Sequence, residues 1–120
     1  MTYQRKIGDK GEQIAADYLA DRGYQLLDKN FITRYGELDL VAVDAGTVVF
    51  IEVKTRTSTT FGLPETSITP TKMDRIQNAG LLWLQAHPEA PGDWRIDVIA
   101  IMLDHQGEIL DIQHFINVIL

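Results

Sequence analysis

A carboxylate and a lysine lie two residues apart at the end of an apolar segment. The segment Val48–Val53 is rich in β-branched and aromatic residues, which predicts a buried strand that leads through Glu52 toward Lys54. Side chains alternate along a strand, so Glu52 and Lys54 share a face with Val48 and Phe50. Carboxylate oxygens are the ligands that hard divalent cations prefer. The spacing therefore indicates a cation site with a positive group beside whatever the cation holds.

A second carboxylate, Asp39, lies on the preceding predicted strand, Glu37–Val43. On that strand we expect Glu37, Asp39, Val41 and Val43 to share one face. If Ala45-Gly46 forms a two-residue turn, Asp39 stands directly opposite Glu52. A three-residue turn would shift the register by one and place the two carboxylates on opposite faces.

Two facing carboxylates repel each other, and their apolar neighbours would limit screening by water. The pair is explained by a divalent cation between the two groups, or by one group that stays protonated. The simpler alternative is a Lys–Glu pair on the surface at the end of a strand, which is the usual explanation of an isolated Glu-x-Lys. The aligned Asp39 favours the cation site over that alternative.

Glu12 adds a third acidic group. Residues Gly11 to Arg22 predict a helix, on which Glu12 shares a face with Ala15, Ala16 and Leu19. Its carboxylate therefore leans toward the buried side. Glu12 is either a further member of the site or an acidic residue of the first turn that favours the helix dipole.

The remaining segments complete an α/β pattern. A second helix opens at Thr69-Pro70 and ends before Pro88, after a polar loop from Thr57 to Thr69. Further strands are predicted at Tyr24–Leu27, at Arg95–Leu103 and along the alternating residues Leu110, Ile112, Ile116, Val118 and Leu120. The order α-β-β-β-α-β-β predicts a single α/β domain over residues 1–120, with a central mixed β-sheet flanked by helices.

Composition narrows the function classes. The 120 residues contain no cysteine, which excludes disulfides, thiolate zinc sites and cysteine nucleophiles. No signal peptide and no apolar run of membrane-spanning length is found, so we expect a cytoplasmic protein with no membrane partner. The formal net charge of −6 argues against DNA binding through the overall field. Contact with a nucleic acid must use a local basic patch.

Structural explanations are favoured for several other polar and aromatic residues. Asp97 lies in a buried strand, where a paired structural carboxylate is expected rather than a metal ligand, and Trp83 is expected in the core. The three histidines lack metal-ligand spacing, and His114 is expected to be a satisfied core or interface histidine. Phe61-Gly62 forms either a mobile loop beside the site or an anchored turn.

Several motifs in this order resemble those of the YraN-type family. They are Gly11-Glu12 with Ala15-Ala16, Asn30, Gly36-Glu37-Leu38-Asp39-Leu40, Val49-Phe50-Ile51-Glu52-Val53-Lys54-Thr55-Arg56, Phe61-Gly62, Lys72 and Arg95-Ile96-Asp97-Val98. The likeness spans almost the whole chain. It departs at Leu38, where the family more often has Ile, and at Ile32-Thr33-Arg34, where a basic pair is common. The family in turn resembles the PD-(D/E)XK nucleases, with Holliday-junction resolvases as near structural relatives.

The resemblance implies a restriction-endonuclease-like core and a metal-dependent endonuclease that acts on DNA, with branched or structured DNA as the expected substrate. Glu12, Asp39, Glu52 and Lys54 match the catalytic pattern of the superfamily. By this resemblance Asp39 and Glu52 hold Mg²⁺ or Mn²⁺, and Glu12 joins through water or holds a second ion. Lys54 positions the attacking water or stabilises the transition state. The basic residues expected to contact the phosphate backbone are Arg34, Arg56, Lys72 and Arg75.

A solvated outer helix face is the simpler explanation for Lys72 and Arg75, whereas Arg56 continues the face of Glu52 and Lys54.

The alternative function is a non-catalytic module that binds a nucleic acid or a protein partner on a nuclease scaffold, which the acidic net charge favours. Resolvase-like chemistry needs two active sites, which favours a homodimer, and the last strand ending at Leu120 is the edge expected to pair with a second copy.

Overall fold

One five-stranded sheet organises the chain in the computed structural model, which describes residues 2–58 and 62–118. The elements are α1 (Tyr3–Asp21), β1 (Gln25–Thr33), β2 (Gly36–Asp44), β3 (Thr47–Arg56), a short 3₁₀ helix (Pro64–Ser67), α2 (Pro70–Ala86), β4 (Trp94–Leu103) and β5 (Ile109–Phe115). The strands lie in the order β1-β2-β3-β4-β5. Only β3 and β4 pair in parallel, and α2 connects them. The predicted α/β fold with a mixed sheet is confirmed.

The β2–β3 hairpin has the two-residue turn. Asp44 pairs with Thr47, and the same register runs to the pair Leu40 and Ile51. Ala45 and Gly46 both have positive φ angles, 48° and 84°. Two such residues form the turn whose twist matches the twist of paired strands. The three-residue alternative is therefore excluded.

A helix covers each face of the sheet, and a separate core cluster lies beneath each helix. The cluster under α1 contains Ala15, Leu19, Leu40, Ala42, Val49, Ile51, Val53, Ile99, Ile101 and Leu103. The cluster under α2 contains Leu38, Val41, Val48, Phe50, Ile76, Ala79, Trp83 and Ile96. Because β3 supplies side chains to both clusters, both of its faces are fixed by packing. The prediction that Trp83 belongs to the core is confirmed.

Several predicted boundaries were wrong. Helix α1 begins at Tyr3 rather than Gly11, because Thr2 caps it by accepting a hydrogen bond from the Arg5 amide at 3.2 Å. Strand β1 runs on from the predicted Leu27 to Thr33. Polar residues interrupt the apolar pattern in both stretches, but helix capping at Thr2 and pairing of β1 with β2 impose regular structure there.

Strand β5 is an edge of the sheet, but it ends at Phe115, before the predicted alternation does. Leu110 and Ile116 are 64% and 59% exposed, and Ile116 lies beyond the end of the strand. Asn117 adopts a φ of 56°, and the Val118 amide donates to the Ile96 carbonyl at 2.8 Å. The chain thus turns back onto the sheet. Leu120 and Phe61 lie outside the described residues.

Asp97 is fully buried and fully paired. Its carboxylate accepts hydrogen bonds from Arg95 Nε at 3.0 Å, from His114 Nε2 at 2.8 Å and from the Asn117 amide at 2.9 Å. Burial acts to raise the pKa of Asp97, but these hydrogen bonds outweigh burial and hold the pKa below its ordinary value. The expected roles of Asp97 as a paired structural carboxylate and of His114 as a satisfied histidine are confirmed.

No helix in residues 2–58 and 62–118 has the length and apolar character needed to cross a membrane.

A carboxylate with a lowered pKa stabilises the fold above the pKa of the unfolded chain, near 3.9, and loses that contribution as the pH falls through the folded value. We expect Asp97→Asn to lower the free energy of unfolding by about 2 kcal/mol at pH 7, because charged hydrogen bonds are lost. The difference from the wild type should shrink below about pH 4. Urea unfolding from pH 3 to pH 7 measures it, with the exposed Asp111→Asn as control. A difference that stays constant down to pH 3 would contradict this account.

Candidate active site

The site lies where β2 and β3 separate. Their paired register ends at Leu40 and Ile51, whereas β3 continues to pair with β4 as far as Arg56. Just beyond the last pair of residues, the backbone amide of Val53 donates to the side-chain carboxylate of Asp39 at 2.8 Å. A side chain of β2 thus takes a hydrogen bond from the neighbouring strand. This fork leaves the side chains of Glu52 and Lys54 partly open to water, whereas Val53 between them stays in the core.

Asp39, Glu52 and Lys54 meet at the fork. The carboxyl groups of Asp39 and Glu52 lie close enough for the charge of Glu52 to raise the pKa of Asp39, and Lys54 Nζ lies 3.2 Å from Glu52 Oε1. The side chains of Glu52 and Lys54 are 14% and 22% exposed, so the group is only partly open to water. The predicted contact between the two carboxylates is therefore present.

Burial and the charge of Glu52 raise the pKa of Asp39 to about 8, against the lowering effect of the Val53 amide. Removal from water disfavours the charged carboxylate, and a second negative group in contact disfavours it further. Lys54 lies against Glu52, and within residues 2–58 and 62–118 no cationic side chain forms an ion pair with Asp39. The arrangement therefore favours any positive charge placed between the two carboxylates.

Glu12 reaches the same region from α1. Asn30 donates to Glu12 Oε1 at 2.8 Å and to Glu37 Oε1 at 2.6 Å, and this amide holds the two glutamates together. Burial raises the pKa of Glu12; the Asn30 hydrogen bond opposes this, and the charges of Glu37, Asp9 and Glu52 add to the rise. Because α1 begins at Tyr3, Glu12 lies in the middle of the helix. The first-turn explanation of Glu12 is therefore wrong.

The predicted alternation on β2 breaks at Asp39. Leu38 packs in the same cluster as Val41, three positions away, so Glu37, Asp39 and Val41 do not share one face. Asn30 lies between the paired positions of β1 and β2 that flank Asp39, and its φ of 52° is left-handed. An asparagine tolerates that conformation better than most residues. The local twist turns Glu37 toward Asn30 and Glu12.

A close approach of α1 to β3 fixes the position of Glu12. A Cβ atom at Gly11 would lie 1.8 Å from Thr55 Oγ1 and 2.9 Å from Thr55 Cβ, so only glycine fits. Thr55 Oγ1 is buried and has no hydrogen-bond partner among the residues that the structure describes. The neighbouring Glu12 is carried to the fork by this contact.

These elements enclose an open cleft of about 540 Å³. Its walls come from the N-terminal half of α1 and the end of β3: Tyr3, Ile7, Gly8, Glu12, Asp39, Glu52, Val53, Lys54, Thr55, Arg56, Thr57 and Ser58. All four predicted site residues, Glu12, Asp39, Glu52 and Lys54, therefore line one cleft.

The four predicted phosphate-contacting residues lie on different sides of the fork. Arg56 lines the cleft, whereas Lys72 and Arg75 line a smaller hollow formed with Tyr35, Glu52 and Lys54. Arg34 is exposed in the β1–β2 turn, with its guanidinium 5.0 Å from the centre of the Tyr35 ring. The two basic residues of α2 thus lie beside the site and do not merely cover an outer face.

The donor set suits a hard divalent cation in part. Asp39 and Glu52 supply contacting carboxylates with no other cation between them, which is the kind of ligand that Mg²⁺ or Mn²⁺ takes. Within the described part of the chain, no three carboxylate or imidazole side chains converge closely enough to hold an ion directly. Glu12 therefore fits a role through water better than direct ligation.

Three residues that the structure places at the site have no role assigned to them from the sequence alone. Asn30 orients Glu12, Thr55 receives α1, and Tyr35 borders the hollow beside Lys54. Two of these roles had a signal in the sequence: an asparagine inside a strand, Asn30, and a glycine inside a helix, Gly11. Both residue types are unfavourable at such positions unless the backbone conformation or a close contact requires them.

The fold and the site define an α/β protein with a carboxylate pair and a lysine at the open end of a β-hairpin. The chain belongs to the Uncharacterised protein family UPF0102, whose model matches residues 11–101 and so includes Glu12, Asp39, Glu52 and Lys54. This confirms the resemblance to the YraN-type family.

Curated relatives match over most of their length. A UPF0102 protein of Syntrophomonas wolfei is 43% identical over 113 residues, which cover 94% of this chain and 96% of the relative. A UPF0102 protein of Clavibacter michiganensis is 43% identical over 108 residues, or 90% and 92%. A UPF0102 protein of Mycolicibacterium vanbaalenii is 46% identical over 101 residues, or 82% and 81%.

Two glycines of α1 test the close approach of the helix to β3. Gly11→Ala should lower the free energy of unfolding by about 2 kcal/mol, because the new methyl group overlaps Thr55. Gly8→Ala should instead raise it by about 0.5 kcal/mol, since a Cβ there meets nothing within 4 Å and alanine favours helix. Denaturant unfolding of both variants measures the contrast. Equal shifts would show that α1 does not depend on this contact.

Asp39→Asn tests the electrostatic cost of the carboxylate pair. Without divalent cations, in a chelating buffer near neutral pH, this variant should be more stable than the wild type by about 1 kcal/mol, because asparagine carries neither a charge next to Glu52 nor a proton that must be taken up on folding. Asp93→Asn, at an exposed position near the opposite end of β3, should leave stability unchanged. Thermal unfolding compares the three proteins. A destabilised Asp39→Asn would mean that the pair is not under repulsion.

Proposed function

We propose that this protein is a metal-dependent endonuclease that hydrolyses phosphodiester bonds in DNA. The observation that supports it most is the contact between Asp39 and Glu52 at the β2–β3 fork, with Lys54 3.2 Å from Glu52. A buried like-charge pair is costly to a fold unless something positive is bound there. An open cleft beside the pair gives a phosphate room to approach.

Asp39 and Glu52 would hold Mg²⁺ or Mn²⁺. When bound, such an ion supplies polarisation of the scissile phosphate and a lowered pKa for the attacking water. Val53 supports the arrangement, because its amide fixes the orientation of the Asp39 carboxylate. Glu12, restrained by Asn30, would act through water or hold a second ion.

Lys54 is the group that acts directly on the phosphate. Its Nζ is a positive donor at the edge of the carboxylate pair, and its side chain lines the cleft as well as the hollow next to α2. It would orient the attacking water or stabilise the negative charge that develops on the phosphate oxygens in the transition state. The ion pair with Glu52 keeps the lysine in place before the substrate arrives.

Arg34, Arg56, Lys72 and Arg75 would contact the phosphate backbone and position the strand without reading its sequence. They provide the local basic patch that a protein of net charge −6 needs. The preference for branched or structured DNA rests on the family resemblance.

The test is cleavage of labelled single-stranded, duplex, flap and four-way-junction DNAs in Mg²⁺ or Mn²⁺. We expect the wild type to cut at least one of them, and Glu52→Ala and Lys54→Ala to lose at least a hundredfold in rate, since each removes a group that acts at the phosphate. Lys10→Ala is the matched lysine control, because its ammonium lies next to Gly107 at the β4–β5 turn. It should retain the wild-type rate.

A second measurement separates the roles of the two residues. Mg²⁺ or Mn²⁺ should raise the thermal midpoint of the wild type and of Lys54→Ala, but not of Glu52→Ala, because an ion bound only to the native state stabilises it. Full activity in Lys54→Ala would remove Lys54 from the mechanism. A wild type that binds DNA, does not cut it and shows no response to metal would favour the non-catalytic binding module.

A further inference from the structure

The β1–β2 turn brings an aromatic ring to the side of the fork opposite the cleft. Tyr35 is 36% exposed and lines a hollow of about 190 Å³ together with Glu52, Lys54, Lys72 and Arg75. We name this feature the Tyr35 hollow. Glu52 and Lys54 belong to both the hollow and the cleft, so whatever enters the hollow lies next to the carboxylate pair.

Cations without carboxylate partners surround the ring. Among residues 2–58 and 62–118, no ion pair to a carboxylate involves Arg34, Lys72 or Arg75. Arg95, by contrast, is bound to both Asp44 and Asp97. Glu37 and Glu52 also line the Tyr35 hollow, but Asn30 donates to Glu37 and Lys54 pairs with Glu52. Lys72 and Arg75 therefore leave the hollow with an excess of positive charge, which favours an anionic ligand although the protein as a whole is acidic.

The ring is held in place before any ligand binds. The Tyr35 amide donates to Thr33 Oγ1 at 3.0 Å, and the Thr33 hydroxyl donates to the Gly36 carbonyl at 2.8 Å. Arg34 Nη2 donates to the Tyr35 hydroxyl at 3.2 Å and lies over the ring. A fixed turn lowers the entropy lost on binding, so the ring is a pre-organised flat surface.

We propose that the Tyr35 hollow binds an unpaired nucleotide of the DNA substrate, with its base stacked on Tyr35 and its phosphates near Lys72 and Arg75. This inference rests on the proposed nuclease function and narrows it to DNA with unpaired bases next to the scissile phosphate. Proteins bind single-stranded nucleic acids with aromatic side chains that stack on the bases and with cationic side chains that contact the backbone. A base inside a duplex has both faces covered by its neighbours and cannot stack on the ring, whereas an unpaired base can.

The experiment measures the affinity of the wild type for two labelled DNAs by fluorescence anisotropy in Ca²⁺: a blunt duplex and the same duplex with a short single-stranded tail. We expect the tailed DNA to bind about tenfold more tightly, the size of one base–aromatic stack. Tyr35→Ala should reduce the preference for the tailed DNA over the blunt duplex to about twofold, whereas Tyr35→Phe and Tyr35→Trp should keep the tenfold preference. Leu110→Ala is the control and should also keep it, because Leu110 is an exposed apolar side chain on β5, away from the fork.

A tail with abasic nucleotides separates stacking from phosphate contact. It should bind the wild type no better than the blunt duplex does, since it keeps the phosphates and lacks the bases. A tenfold preference that survives in Tyr35→Ala, or with the abasic tail, would overturn the inference. Equal affinity of the wild type for both DNAs, with metal-dependent cleavage intact, would overturn the inference alone. A wild type that neither binds nor cuts any DNA would overturn the proposed function itself.

Discussion

The contact between Asp39 and Glu52 is the constraint around which the site is built. Two carboxylates in contact and partly buried would move apart in a flexible loop, because each raises the free energy of the other's charged form. Here the two-residue turn at Ala45-Gly46 and the regular ladder down to Leu40 and Ile51 hold both backbones. The parallel pairing of β3 with β4 continues past the fork, so β3 cannot bend away. The rigidity of the sheet thus keeps two groups together that repel each other.

Asp97, which is fully buried, and Asp39, which is partly buried, show opposite electrostatics. Asp97 is satisfied by Arg95, His114 and a backbone amide, and its pKa is lowered although burial acts to raise it. Asp39 receives one backbone amide and faces a second carboxylate, and its pKa is raised by burial and by that charge. The ionised and hydrogen-bonded carboxylate of Asp97 stabilises the fold without any bound ligand. The carboxylate of Asp39 is stabilised only when a proton or a cation joins it, which is the property expected of a functional group.

The packing of α1 on the sheet also fixes the position of a side chain at this site. Gly11 lets the helix approach Thr55 without a side chain between them, and this approach carries Glu12 toward the fork. Asn30 then ties Glu12 to Glu37 across the gap between α1 and the β1–β2 hairpin. On the other side of Glu52, the turn that holds Tyr35 faces the start of α2. The carboxylate pair is thus bordered on both sides by groups whose positions depend on secondary structure elements distant in sequence.

The sequence by itself determined the order of elements and the residues of the carboxylate pair, and it limited the register of the β2–β3 hairpin to two alternatives. These follow from local rules: the period of apolar residues, the turn chemistry of Ala45-Gly46 and the alternation of side chains along β3. Tertiary structure decided what depends on contacts between distant segments. The strict alternation expected through Asp39 failed because Asn30, on another strand, twists the backbone there. The start of α1, the burial that raises the pKa of Asp39 and the position of Tyr35 beside Lys54 were likewise set by packing, which no local pattern encodes.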